Sequence, residues 1–413
     1  MKTLEDWLRY IERQHPQAIA LGLDRVREVW NRMGTRLLCP VITVGGTNGK
    51  GSSCAMLDAI LRAAGNRTGL YTSPHLVRYN ERVRIAGAEA GDTLLAESFS
   101  IVEKARAEVP LTYFEFGTLA ALWAFSESKI EAAILEIGLG GRLDAVNVLD
   151  ADCAVLTSVG IDHVDYLGPD RESIGREKAG IFRPSRPAVI AEPDPPASVL
   201  QAAGDKLFFG KDFGFTAEET CWNYWGPKGK RAGLAPPALR GAIQLRNAAA
   251  ALCALDALAL PVAMQEVRRG LAEVALAGRF QVLPGRPRVI LDVAHNVEAA
   301  RVLADNLDAS GFAPETIAVC GMLRDKDIGG VLSALAARVT RWHFASLSGP
   351  RGASADELEK ILGRSDEKHP SPAAAFTSAL ERAQEGDKIV VFGSFLTVGE
   401  VLAWLKNNKT SRR

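Results

Sequence analysis

The sequence predicts an α/β protein: a doubly wound parallel sheet, with a second, smaller α/β domain after it. Three observations carry that prediction. Residues 41–44 form a short β-branched run, the composition of a buried parallel strand, and Gly45-Gly46-Thr47-Asn48-Gly49-Lys50-Gly51 follows at once. Over 52–64, Met56, Leu57, Ile60 and Leu61 recur at helical spacing, so the order is strand, glycine loop, helix. Short apolar strands then alternate with helical patterns, and the alternation restarts after Pro284-Gly285-Arg286-Pro287. Such alternation implies parallel sheets flanked by helices. The first domain is thus P-loop-type and the second Rossmann-like.

Taken in order, 4–14 and 21–33 read as short helices separated by Ala20-Leu21-Gly22-Leu23. Residues 68–71 read as a second strand, and 83–86 as another beyond the polar loop 72–82. Helical patterns cover 93–108 and 116–128. Segments 132–137, 153–159 and 187–191 read as buried strands, and Asp170 suits the N-cap of a helix over 170–182. Residues 193–240, rich in Pro, Gly and aromatics, read as a short irregular β excursion. Helices return at 243–258 and 263–275. The Pro/Gly turn marks the boundary between domains 1–281 and 282–413. In the second domain strands are expected at 288–293, 316–321, 341–346 and 388–393. Helices are expected near 297–309, 328–338, 354–362, 372–384 and 396–406, with a frayed tail after Lys406.

At 413 residues the chain exceeds one ordinary core, which supports two domains. Lys+Arg and Asp+Glu both number 49, a balance that argues against a dedicated nucleic-acid or membrane-surface protein. The six cysteines are scattered without a C-x-x-C pair and read as small core residues in a reducing compartment. No zinc-binding spacing is present. The apolar stretch 248–264 is interrupted by Asp256 and Pro261, so it reads as a core helix rather than a membrane span. The N-terminus is amphipathic and carries acids, unlike a secretory signal. A cytoplasmic protein is expected.

The glycine loop can turn backbone N–H groups onto an anion. The helix N-terminus adds partial positive charge and Lys50 a full one, the build of a site for nucleotide phosphates. In an open parallel sheet, ligands collect at the carboxyl ends of strands, where Glu136 and His163 fall. A carboxylate inside an apolar strand is costly unless paired or metal-bound. Glu136, His163 and Ser73 can complete a Mg²⁺ shell with phosphate oxygens and water. Read singly, Glu136 also fits an arginine ion pair, His163 a hydrogen-bonded core histidine and Ser73 a turn. Lys178, in Arg-Glu-Lys-Ala-Gly, reads on its own as a solvated helix lysine. Asp292 and His295 follow the first strand of the second domain, and Arg279 precedes it. Such an Arg and Asp suit closure over ATP, although Asp292 also fits a helix cap.

Nine blocks in order carry a resemblance: GTNGKGS (46–52), YTSPHLVRYNERVRI (71–85), YFEFGTLAAL (113–122), ILEIGLGGRLDAVNV (134–148), SVGIDHVDYLG (158–168), REKAGIF (176–182), GRFQ (278–281), DVAHN (292–296) and GMLRDKD (321–327). The chain resembles the folylpolyglutamate synthase/dihydrofolate synthase family of the Mur ligase superfamily, and looks most similar to the bifunctional bacterial enzymes. Its loop departs from the generic P-loop, with the first glycine one residue closer and Gly51 after Lys50. Val297 stands where the family has Pro, and Leu396 where relatives often carry His.

The resemblance implies that Thr47, Asn48, Gly49, Lys50, Gly51 and Ser52 hold the ATP phosphates. It implies that Ser73, Glu136 and His163 bind Mg²⁺, and that Lys178 is carbamylated to hold a second Mg²⁺ or position a phosphate. Asn247 would contact the nucleotide, with Arg279 and Asp292 closing from the second side. The pterin end of the substrate would meet Thr112, Tyr113, Phe114, Glu115, Leu143, Asp144 and Ala145, with Ala20, Leu21, Gly22 and Leu23 close by. A flat, polar-edged ring suits an aromatic and a carboxylate. Lys50, Lys178 and His295 are the catalytic candidates, and His295 with loop 321–327 would serve glutamate. The implied cofactors are two Mg²⁺ ions, ATP as co-substrate and a monovalent cation. The implied partners are dihydropteroate, reduced folates and L-glutamate, on a monomer without nucleic-acid or membrane partners. The implied reaction is ATP-dependent amide formation through an acyl phosphate. Two other readings stay open: a Mur-type ligase with another acceptor, and a non-enzymatic nucleotide switch.

Overall fold

The computed structural model describes residues 2–15, 17 and 19–410. The chain divides into two compact units. One comprises 1–74, 79–238 and 244–274, and the other 75–78, 239–243 and 275–413.

The first unit is built on eight strands: β1 (Val41–Gly45), β2 (Thr68–Tyr71), β3 (Val83–Ile85), β4 (Ala88–Glu89), β5 (Ala132–Glu136), β6 (Cys153–Leu156), β7 (Pro187–Ile190) and β8 (Asp205–Phe208). Their order is β4-β3-β2-β5-β1-β6-β7-β8. From β2 to β8 all neighbours are parallel, while β3 and β4 add antiparallel at one edge. Every residue of β1 and β5 is buried. Both faces of the sheet are covered, which is why these strands are continuous apolar runs rather than alternating ones. Helix Lys50–Ala63 is hidden from Gly51 to Leu61. Helix Met264–Glu273 lies against it, and a Cβ on Gly270 would come 2.5 Å from the Ile60 Cα. Glycine there lets the two backbones touch.

The excursion over 193–240 is more regular than expected. It contains helix Ala197–Gln201 and β8, which extends the main sheet. An antiparallel sheet follows, of β9 (Gly214–Ala217), β10 (Trp222–Gly226) and β11 (Gly229–Leu234). Its buried Tyr224 donates to Asp256 Oδ2 at 2.8 Å, and Arg231 pairs with Asp256 Oδ1 at 2.7 Å. That pairing explains a buried carboxylate in the last turn of the apolar helix Ile243–Ala257.

The second unit has β12 (Gln281–Leu283), β13 (Arg288–Leu291), β14 (Thr316–Cys320), β15 (Arg341–Ala345), β16 (Glu367–His369) and β17 (Lys388–Phe392). They run β12-β13-β17-β14-β15-β16, all parallel except β12. The edge strands β12 and β16 were not expected. Each has three residues, too few to show a period. The last helix, Phe395–Thr410, runs past Lys406, where a frayed tail was expected. Trp404 anchors it edge-on to Phe376, ring centroids 5.4 Å apart. Cys54, Cys153, Cys253 and Cys320 are buried as expected, whereas Cys39 and Cys221 are partly exposed. Among the described residues, no helix is long and apolar enough to cross a membrane.

Candidate active site

The glycine loop after β1 is held to the segment after β6 almost atom by atom. The Thr47 N–H donates to Ser158 O and the Asn48 N–H to Ser158 Oγ, both at 2.9 Å. The Gly160 N–H donates to Thr47 Oγ1 at 2.9 Å, and the Thr157 hydroxyl donates to Asn48 O at 2.7 Å. Two glycines make this approach possible. Gly46 (φ 146°) would place a Cβ 1.9 Å from Thr157 Oγ1, and Gly49 (φ 89°) would place one 2.7 Å from Asn247 Oδ1. Helix Lys50–Ala63 starts directly after the loop, with Ser52 buried in its first turn. The Lys50 ammonium folds back on Gly46 O (2.9 Å) and Thr47 O (3.2 Å). Asn247, buried on helix Ile243–Ala257, is oriented by a 3.0 Å bond to Gln244 Oε1.

Glu136 ends β5 and is 4% exposed. Its Oε2 accepts the Ser73 N–H at 3.1 Å, so the ends of neighbouring strands β5 and β2 bring these two residues together. A carboxylate beside a hydroxyl is a donor set that fits a hard divalent cation. His163 lies in the loop after β6 in left-handed backbone (φ 53°). Its N–H donates to Asp162 Oδ1 at 2.8 Å. Left-handed backbone on a residue other than glycine is costly and collects at functional sites.

Lys178 is not the solvated lysine its local sequence suggests. It is 4% exposed on helix Arg171–Ala179, because this helix packs its small face, Gly175 and Ala179, inward. Burial, then repulsion from Lys50, push its ammonium down to about 7, while Asp162 and Asp144 pull the other way.

The three segments expected at the pterin also meet. The Gly22 N–H donates to Leu143 O at 3.3 Å. Arg25 donates to Ala20 O (2.7 Å) and to Glu115 Oε1 (2.8 Å). Glu115 and Thr112 form the capping box of helix Tyr113–Glu127. Asp144 accepts from Leu139 and Val146 N–H groups at 2.8 and 3.0 Å, and burial pushes its carboxyl up to about 7. Both oxygens of Glu115 and of Asp144 therefore already accept protein hydrogen bonds. Phe114 lies over Gly138, where a Cβ would sit 2.6 Å from the ring. Two residues of this neighbourhood escaped sequence reasoning. Arg25 carried only its place two residues after Leu23 as a signal. Arg82, inside the 71–85 block, sits over the rings of Tyr79 and Tyr113 at 5.5 and 5.4 Å.

In the second unit, Asp292 clamps a turn, accepting from the Phe280 and Ala294 N–H groups, each at 2.8 Å. The cap of helix Val297–Ala309 is Asn296 instead. Burial raises the Asp292 carboxyl, and Arg279 lowers it. Arg279 lies 5.2 Å over the Phe395 ring. His295 Nδ1 is 2.8 Å from Val293 O, a contact that requires the proton on Nδ1.

Comparison with known proteins places this arrangement. The Mur ligase middle domain matches residues 44–255, and the Mur ligase glutamate ligase domain matches 278–395. The dihydrofolate synthase/folylpolyglutamate synthase of Escherichia coli (strain K12) is 46% identical over 404 residues, 97% of this chain and 94% of that one. The structure of E. coli FolC in complex with DHPP and ADP superposes with a TM-score of 0.95 at 44% identity, covering 99% of each chain. A bifunctional folylpolyglutamate synthase/dihydrofolate synthase with Mn, AMPPNP and L-glutamate bound gives 0.92 at 44% identity, covering 98% of each.

Proposed function

Since the chain belongs to the dihydrofolate synthase/folylpolyglutamate synthase family of Mur ligases, we propose that its residues divide the work of glutamate ligation as follows. The enzyme is an ATP-dependent ligase that joins L-glutamate to dihydropteroate, giving dihydrofolate, and adds further glutamates to reduced folates. The acceptor carboxylate attacks the γ-phosphorus of ATP, forming an acyl phosphate and releasing ADP. The glutamate amine then attacks the acyl carbon and phosphate leaves.

Lys50 and the N–H groups of Thr47 to Ser52 bind and orient the phosphates, and Asn247 holds the nucleotide beside the loop. Ser73, Glu136 and His163 hold the divalent cation, which when bound neutralises charge on the phosphate oxygens. Lys178 is the carbamate. Only a neutral amine captures carbon dioxide, and a group pushed to about 7 supplies one at neutral pH. The carbamate also replaces a repulsion from Lys50 by an attraction. The pterin lies among 20–23, 112–115 and 143–145. Glu115 and Asp144, each oxygen keeping a further lone pair, suit its amino groups, and Tyr113 and Phe114 supply its aromatic surface. Arg279 and Asp292 serve the nucleotide, and His295 serves glutamate. The first unit thus carries the phosphate loop and the pterin residues, and the second contributes Arg279 and Asp292 to the nucleotide and His295 to glutamate. In this reading the enzyme works as a cytoplasmic monomer.

The observation that carries the reading is the buried Lys178 beside Lys50, close to the stapled phosphate loop. The test is phosphate release with Mg-ATP and L-glutamate, adding dihydropteroate or tetrahydrofolate in turn. Turnover is expected with both, and Glu136→Gln should lower kcat by about 10²–10³-fold. Turnover with neither acceptor overturns the reading, and full activity in Glu136→Gln overturns the metal assignment.

A further inference from the structure

His343, Glu367 and His369 lie on one face of the second unit's sheet, and none of them is among the residues assigned above. The cause is strand register. His343 on β15 pairs with Glu367 on β16, and Ala345 pairs with His369. The strands are parallel, so Glu367 and His369, two apart, point to the same side as His343. His343 Nδ1 is 3.1 Å from His369 Nε2, and these nitrogens are 3.6 and 3.7 Å from Glu367 Oε2. The point equidistant from the corners of that triangle lies about 2.0 Å from each, the length of a zinc–nitrogen or zinc–oxygen bond.

We propose that these three residues form a binding site for a divalent transition-metal ion of the zinc class. Two imidazoles and one carboxylate are a usual zinc donor set, and three protein ligands leave a fourth position for water. The carboxylate is already oriented. Arg382 holds Glu367 Oε1 at 2.8 Å, and the Ser378 hydroxyl donates to Oε2 at 3.1 Å, the outer partners a ligating carboxylate needs. The nearby charged groups are Arg341 and Arg382, with Glu367 itself opposing them. The ion can enter, because the His369 and Glu367 side chains are 13% and 33% exposed while His343 forms the floor. One feature limits affinity: His343 Nε2 is buried and has no partner among the described residues. A metal on Nδ1 would put the proton on that nitrogen, unbonded. The site is therefore exchangeable rather than a requirement for folding. Its effect is to tie edge strand β16 to β15.

The test uses the full-length protein in excess Mg²⁺. Zn²⁺ is equilibrated across a dialysis membrane at a fixed free concentration, and bound zinc is counted from the excess on the protein side. One equivalent is expected in the wild type and in Glu136→Gln, and none in His369→Gln or Glu367→Gln. Cu²⁺ substituted into the wild type should show electron-spin coupling to two imidazole nitrogens, whereas the proposed Mg²⁺ site offers only His163. Zinc retained by His369→Gln, or a Cu²⁺ spectrum with one nitrogen or none, overturns the proposal without reference to the ligase reaction.

Discussion

Lys178 in the first unit and Lys388 in the second are equally hidden, each 4% exposed, and burial lowers the pKa of both. Their surroundings differ. Lys388 opens β17 and turns its ammonium onto Leu307 O and Gly311 O, at the C-terminal end of helix Val297–Ala309. Carbonyls and the negative end of a helix solvate a cation in place of water. Lys178 is set instead against another cation, Lys50, beside the phosphate loop. Equal burial thus hides two different situations. One lysine is part of a helix terminus. The other is held in a state that a ligand or a chemical change would relieve, as expected of a functional site.

Replacing both lysines tests that difference, and the largest effect belongs to Lys178. Lys178→Met should lower kcat for glutamate-dependent phosphate release by about 10²–10³-fold while leaving the thermal midpoint unchanged or higher. Near-wild-type turnover would erase the contrast. The next effect is on stability against pH. The Lys178 pKa falls from 10.5 to about 7 on folding. Below pH 7 both states are protonated and the folded state bears the full cost. Between about 7 and 10.5 the unfolded chain keeps the proton that the folded chain has lost, so stability rises with pH. Thermal unfolding of protein freed of carbon dioxide, so that Lys178 is the unmodified amine, should show wild type gaining on Lys178→Met between pH 6.5 and 9, by up to a few kcal/mol. Parallel profiles would mean that this lysine titrates normally. The smallest effect is Lys388→Met, which removes two carbonyl contacts. It should cost about 1–2 kcal/mol in denaturant unfolding and leave kcat intact. A loss of turnover like that of Lys178→Met would show that the two lysines are not different in kind.

The elements legible in the sequence are those whose signal is local. The β1–loop–helix unit is contiguous, and each part has its own composition, so its order and place follow from residues 41–64 alone. Strands buried on both faces are apolar throughout, and both parallel sheets could be expected from them. Glu136 stood out because a carboxylate in such a strand needs a reason. Edge strands β12 and β16 gave no comparable signal, and β8 was hidden in an irregular stretch, since pairing with a distant strand is what makes a short segment a strand.

By itself, then, the sequence determined the phosphate loop, the α/β alternation and the family resemblance, each written in contiguous residues. Tertiary structure alone decided what surrounds each charge. REKAG reads as a solvated turn of helix until packing buries Lys178 near Lys50. Arg25 becomes the link between Ala20 and Glu115 only when helix Tyr113–Glu127 is set beside it. No zinc spacing exists in the sequence, yet the β15–β16 register aligns His343 with Glu367 and His369 on one face. A charge's environment is a sum over neighbours that are distant in sequence, and only the folded chain brings them within a few ångströms.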